Sequence, residues 1–262
     1  MSRVVWLNGG LVDPAAACLS IDDPGVRSGA GLFETMRSRG GRVPLLDRHL
    51  ARLAGSIGAL GMDPVPTPDA IRTAVEAVAA SLGPGLGRVR LTVTPAPTLL
   101  VEGEPFTLDP GAVLTAVSVR SAWSPGRRIA EHKTLSFLAW RDAQRRAQDA
   151  GADIALLLDG EGRLGEASTA NVFCVAGGAL VTAPVDGILP GVTRGLVLEL
   201  ADVREEALDE AAWRAADEMF VTSAVRGAVP VVSCDGRLVG AGGVGPVTAM
   251  VRTAVAAALD GA

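Results

Sequence analysis

His132-Lys133-Thr134-Leu135-Ser136-Phe137, Glu166-Ala167-Ser168-Thr169-Ala170-Asn171-Val172-Phe173 and Gly187-Ile188-Leu189-Pro190-Gly191-Val192-Thr193-Arg194 are three segments of one stretch of the chain. The first holds Lys133, the only lysine present; every other Lys/Arg position is arginine. Arginine replaces a surface lysine at little cost. It cannot replace an amine nucleophile, because the guanidinium stays protonated and forms no imine in proteins. Composition alone does not separate a retained nucleophile from a chance survivor, so the flanking residues must decide. In the third segment, Gly191-Val192-Thr193 opens a helix after Pro190. Backbone N–H groups at such a start have no intrahelical partner and can bind an anion.

Outward from this stretch, strands and helices interleave. Residues 3–7 are apolar and end in the Asn8-Gly9-Gly10 turn; residues 32–37 lead to a hairpin signal at Gly40-Gly41. Leu46, Leu50, Leu53 and Ile57 share one face of a helix over 46–60 that Gly61 stops. Thr67 caps a second helix, Pro68 opens it, and Ile71, Val75, Val78 and Leu82 recur along it before Gly83. Residues 88–94 alternate strictly, which predicts a half-buried strand with Arg90 on its polar face. Residues 95–110 are rich in proline and turn formers, 112–119 resume as a strand, and 121–128 read as a loop. Beyond lies a helix over 137–150, then strands at 153–158 and 170–175 separated by a glycine-punctuated turn. Helices at 192–200, 209–216 and 247–259, a strand at 219–223 and a hairpin at Asp235-Gly236 complete the pattern. Such interleaving predicts α/β or α+β layering. A boundary near 111–120 separates an N-terminal α/β domain, 1–115, from a larger C-terminal domain, 116–262, that carries Lys133.

Composition narrows the function classes. With 48% hydrophobic and 20% charged residues, the 262-residue chain is globular and long enough for one large domain or two modest ones. No apolar run spans a bilayer, and the one after Arg3 is too short for a signal peptide. Cys18, Cys174 and Cys234 lack metal or disulfide spacing and suit a reducing cytoplasm. A formal charge of -5 without a basic stripe argues against nucleic acid. Gly83-Pro84-Gly85-Leu86-Gly87 follows a helix and precedes a strand, the reverse of a dinucleotide turn.

With Ser28-Gly29-Ala30-Gly31-Leu32-Phe33-Glu34-Thr35, His49-Leu50-Ala51-Arg52-Leu53, Phe220-Val221-Thr222-Ser223 and Pro230-Val231, the three segments make nearly the whole chain resemble the class IV aminotransferases. These fold type IV pyridoxal 5′-phosphate (PLP) enzymes include branched-chain and D-amino acid aminotransferases and 4-amino-4-deoxychorismate lyases. The resemblance implies a two-domain α/β (α+β) subunit with mixed sheets and flanking helices. It also implies PLP between the domains, a small amino compound as substrate, and a homodimer whose partner completes the pocket. Neither a membrane nor nucleic acid is an expected partner.

By the same resemblance, Lys133 is the catalytic lysine that holds PLP covalently and, once released, moves protons. Glu166 pairs with the pyridine nitrogen and keeps it protonated. Arg52 clamps the cofactor phosphate, helped by Val192 and Thr193 at their helix start and by Ser223. Ser168, Thr169 and Asn171 shape the loop behind the cofactor, and His49 and His132 receive no catalytic role.

The pattern also departs from the family. The chain has no tyrosine, so the phenol that many relatives place beside the PLP 3-hydroxyl is missing; Phe137 stands in that region, and Ser136 or water must donate instead. Ala30 replaces an aspartate common in the glycine turn. Arg90 is either a carboxylate-binding arginine or a solvated strand residue, and Arg226 either meets an anionic substrate or forms a surface pair. The leading expectation is 4-amino-4-deoxychorismate lyase, yielding 4-aminobenzoate and pyruvate. The alternative is an aminotransferase of branched-chain or D-amino acids; a third is a PLP-binding homologue without turnover. Lyase and transaminase would use the same residues.

Overall fold

The computed structural model describes residues 3–120 and 126–260, so most of the loop expected at 121–128 lies outside the described residues. The chain divides into two units. One comprises residues 3–108 with His132–Ser136; the other comprises 109–120, 126–131 and 137–260.

The first unit is built on β1 (Val4–Leu7), β2 (Gly10–Val12), α1 (Pro24–Ser28), β3 (Leu32–Arg39), α2 (Leu46–Leu60), α3 (Pro68–Ser81), β4 (Leu86–Val93) and β5 (Leu99–Pro105). Its strands form one antiparallel sheet in the order β2-β1-β5-β4-β3. Alternate residues such as Leu32, Met36, Val89, Leu91 and Val101 pack against Leu53 of α2 and Ile71, Val75 and Val78 of α3. Strand β5 corrects the expectation of turns across 95–110. Pro95 and Pro97 precede it, Pro105 ends it and Gly103 leaves a gap in its row of apolar side chains, yet it is central in the sheet. Glycine is needed there because a Cβ would lie 2.6 Å from Val78 Cγ1 beneath α3. The Gly40-Gly41 hairpin is also only half realised. Both glycines have positive φ and Arg39 bridges Arg42, but the chain then enters α2, and β3 pairs with β4 instead.

Lys133 belongs to the first unit, although the sequence places it beyond the expected boundary at 115/116. Backbone pairing is the reason. Thr134 bridges Leu32, Phe33 N donates to Lys133 O at 2.8 Å, and Leu135 N donates to Gly31 O at 2.9 Å. The lysine therefore rides on the edge strand β3.

The second unit contains β6 (Leu114–Arg120), α4 (Leu138–Asp149), β7 (Ile154–Leu158), β8 (Leu164–Ala167), β9 (Ala170–Ala176), β10 (Ala179–Thr182), α5 (Val192–Leu200), β11 (Val203–Glu205), α6 (Glu210–Arg214), β12 (Glu218–Ser223), β13 (Gly227–Cys234), β14 (Arg237–Leu238) and α7 (Pro246–Asp260). The sheet runs β11-β10-β9-β12-β13-β6-β7-β8, and β8 also pairs with β9, which closes six of these strands into a ring. Leu156, Val172, Cys174, Met219, Val229 and Trp213 are among the residues of its main core. Strand β8 lies where only a glycine-punctuated turn was expected, and β10 and β11 were also not foreseen. In β8 all four residues are buried, so no alternation marks the strand in the sequence. It carries Glu166.

Candidate active site

In the first unit, the candidate residues gather on β3, β4, α2 and the Lys133 segment. Lys133 Nζ sits 4.5 Å from the centre of the Phe33 ring, and the Arg90 guanidinium carbon 3.8 Å from the same centre. Phe33 thus carries the amine and a cation together. Burial first, and then Arg88, lowers the Arg90 pKa from its ordinary value, an environment that favours an anion nearby. His132 Nδ1 lies 3.0 Å from Ser56 Oγ on α2 and steadies the residue before the lysine. Ser136, expected as a donor beside the cofactor, gives its hydroxyl to Gly29 O at 3.3 Å.

Arg52 projects from α2 onto Glu34 of β3. Its Nε donates to Oε1 at 2.8 Å and its Nη2 to Oε2 at 2.5 Å, while His49 Nδ1 lies 2.8 Å from Oε2. Glu34 is 1% exposed. Burial alone would raise its pKa, but the Arg52 charge and hydrogen bonds from His49 and Arg52 win and hold it at about 2. Neither Glu34 nor His49 had been assigned a site role. The available signal was the His49-x-x-Arg52 spacing, which puts both side chains on one helix face opposite a lone carboxylate in an apolar strand.

The sign of the resulting pH dependence follows directly. A folded-state pKa below the unfolded one adds stability above the unfolded value, and this is lost as pH falls toward about 2. We expect the gap in unfolding free energy between wild type and Glu34→Gln to be full near neutrality. Urea titrations at pH 7, 4 and 3 should show it narrowing toward the acid end, by roughly 2 kcal/mol at pH 3.

In the second unit, Glu166 is 4% exposed. Its Oε1 accepts from Trp140 Nε1 at 2.8 Å and its Oε2 from Leu189 N at 3.2 Å, so α4 and the loop before α5 fix the carboxylate. Register partners carry the cluster onward: Glu166 faces Asn171, and Asn171 faces Thr222. Asn171 Nδ2 donates to Leu189 O at 2.8 Å, and a Cβ on Gly191 would lie only 2.0 Å from Asn171 Oδ1. Only glycine fits at that N-cap.

The start of α5 has no side-chain cap, as its sequence implied. There the hydroxyl of Thr193, 2% exposed, finds no hydrogen-bond partner among the described residues, and the same holds for Thr222 at the end of β12. Two buried orphan hydroxyls close to an uncapped helix start suit an anionic ligand. Ser223, the residue chosen from sequence, instead accepts from Arg226 N at 3.4 Å, while Arg226 itself is exposed on the turn. Thr222 was missed because its neighbour carries the same hydroxyl chemistry, and only the strand register tells which side chain is buried.

Comparison with known proteins identifies the class to which this mixed-sheet fold belongs. Residues 31–234 match the amino-transferase class IV family. The chain belongs to that family.

A branched-chain-amino-acid aminotransferase-like protein 2 of Arabidopsis thaliana is 29% identical over 98% of this chain and 50% of its own length. The D-alanine aminotransferase of Bacillus licheniformis is 29% identical over 96% of this chain and 95% of its own. Among solved structures, the PLP-bound form of a hypothetical aminotransferase from Mycobacterium tuberculosis superposes with a TM-score of 0.88 at 25% identity, covering 98% of each chain. The chain spans about half the length of the Arabidopsis relative and of a second protein from the same plant. The fold class and the expectation of PLP chemistry accord with this membership. The relatives' names favour the aminotransferase alternative over the lyase.

Proposed function

We propose that the protein is a PLP-dependent aminotransferase that moves an amino group between small amino and keto acids. The observation that carries this reading is Lys133, the one lysine of the chain, pinned by backbone hydrogen bonds to β3 beside Phe33. The orphan hydroxyls of Thr193 and Thr222 fit the phosphate of such a cofactor.

When bound, PLP supplies an aldehyde that condenses with amines and a pyridine ring that accepts electron density. The chain's own residues do the rest. Lys133 Nζ would hold the cofactor covalently and, once displaced, would carry the proton of the substrate α-carbon to the cofactor carbon that bore the aldehyde. The Glu166 carboxylate, whose position Trp140 and Leu189 fix, would keep a proton on the ring nitrogen. Arg52, the Val192 and Thr193 end of α5, and the Thr222-Ser223 end of β12 would hold the phosphate. Arg90 receives a substrate carboxylate, and Arg226 attracts anions toward the turn. A homodimer belongs to the same proposal, on the family resemblance.

The test is a half-reaction. With PLP loaded, an amino donor should bleach the visible absorption, and a 2-keto acid should restore it. Pyruvate release from 4-amino-4-deoxychorismate without bleaching would replace this reading with the lyase. Inertness toward a broad amine panel, despite a normal cofactor spectrum, would leave a homologue without turnover.

A further inference from the structure

Glu34 is a carboxylate on the face of β3 that otherwise delivers Leu32 and Met36 to the core. Stability alone does not explain it. Burying an ion pair costs several kcal/mol per ion in desolvation, and an apolar replacement of similar size is often neutral or stabilising. A buried pair does fix direction. Glu34 grips the Nε and Nη2 edge of Arg52 in a two-point contact, which sets the guanidinium plane as well as its place. An ionised carboxylate only accepts, so the 2.8 Å contact makes His49 Nδ1 the donor and stops Glu34 from rotating. The same face of α2 presents Ser56 to His132, next to Lys133. One helix stripe thereby holds Arg52 and the lysine segment to β3.

We infer that Glu34 and His49 are positioning residues that aim the Arg52 guanidinium at the cofactor phosphate. This inference rests on the PLP reading above, and the geometry of the Glu34–Arg52–His49 cluster carries it. With Glu34→Gln the two-point grip becomes a neutral, singly accepting contact, and Arg52 gains rotational freedom. The loss should fall on ligands that carry a phosphate and spare those that lack one.

The experiment compares PLP with pyridoxal, which has the same ring and aldehyde but no phosphate. Equilibrium dialysis measures each Kd for the wild-type and Glu34→Gln proteins. The expected result is a PLP Kd raised about tenfold or more in the variant, with the pyridoxal Kd within about twofold of wild type. A merely structural defect would weaken both ligands alike, and that result, or no change in either, overturns the inference. Wild-type protein that binds neither ligand overturns the PLP reading itself and the inference with it. If Glu34→Gln does not fold, His49→Asn carries the same comparison, with a smaller selective loss expected; equal effects on both ligands would again overturn the inference.

Discussion

Lys133→Ala is expected to lower turnover by more than ~10³-fold, since it removes both the covalent anchor and the proton carrier. Lys133→Arg should fail equally, because the guanidinium keeps the charge but neither condenses with an aldehyde nor gives up a proton near neutrality. The fold should survive both changes: the segment is held by backbone hydrogen bonds from Phe33 N and to Gly31 O, which the side chain does not make. Single-turnover kinetics with an amino donor, alongside thermal unfolding, check this. Retention of more than a tenth of wild-type turnover by either variant would sink the assignment of Lys133.

Glu166→Gln is the second large effect. The amide has nearly the shape of the carboxylate but no charge. It cannot accept on both sides, so one of Trp140 Nε1 and Leu189 N would face a donor. A ring nitrogen without its counter-charge holds its proton poorly and withdraws fewer electrons. We expect kcat to fall ~10²–10⁴-fold, while PLP affinity changes far less because the residues proposed to hold the phosphate are others. Steady-state kinetics and a PLP titration read the two quantities separately. Equal losses in both would mean that Glu166 serves binding alone.

Much of this was legible in the sequence because the long elements are amphipathic and well punctuated. The 46–60 helix stopped by Gly61, the Thr67-Pro68 start and the 88–94 alternation each follow from local chemistry. Buried strands were harder. Strand β8 has no polar face to alternate with, and β5 hides among prolines, since nothing local says that Gly103 lies under α3. The site divides along the same line. Lys133 and Arg52 stood out by residue type and motif. Glu34, His49 and Thr222 became visible only when a strand register or helix face brought distant residues together. Lys133 itself was expected in the C-terminal domain because chain order says so, whereas its backbone pairs with β3.

Borohydride reduction of the PLP-loaded protein, followed by peptide mapping, tests the central claim most directly. A pyridoxyl group fixed on Nζ at position 133 is the predicted outcome; a chain left unlabelled there, or labelled only at its N-terminal amine, would contradict it.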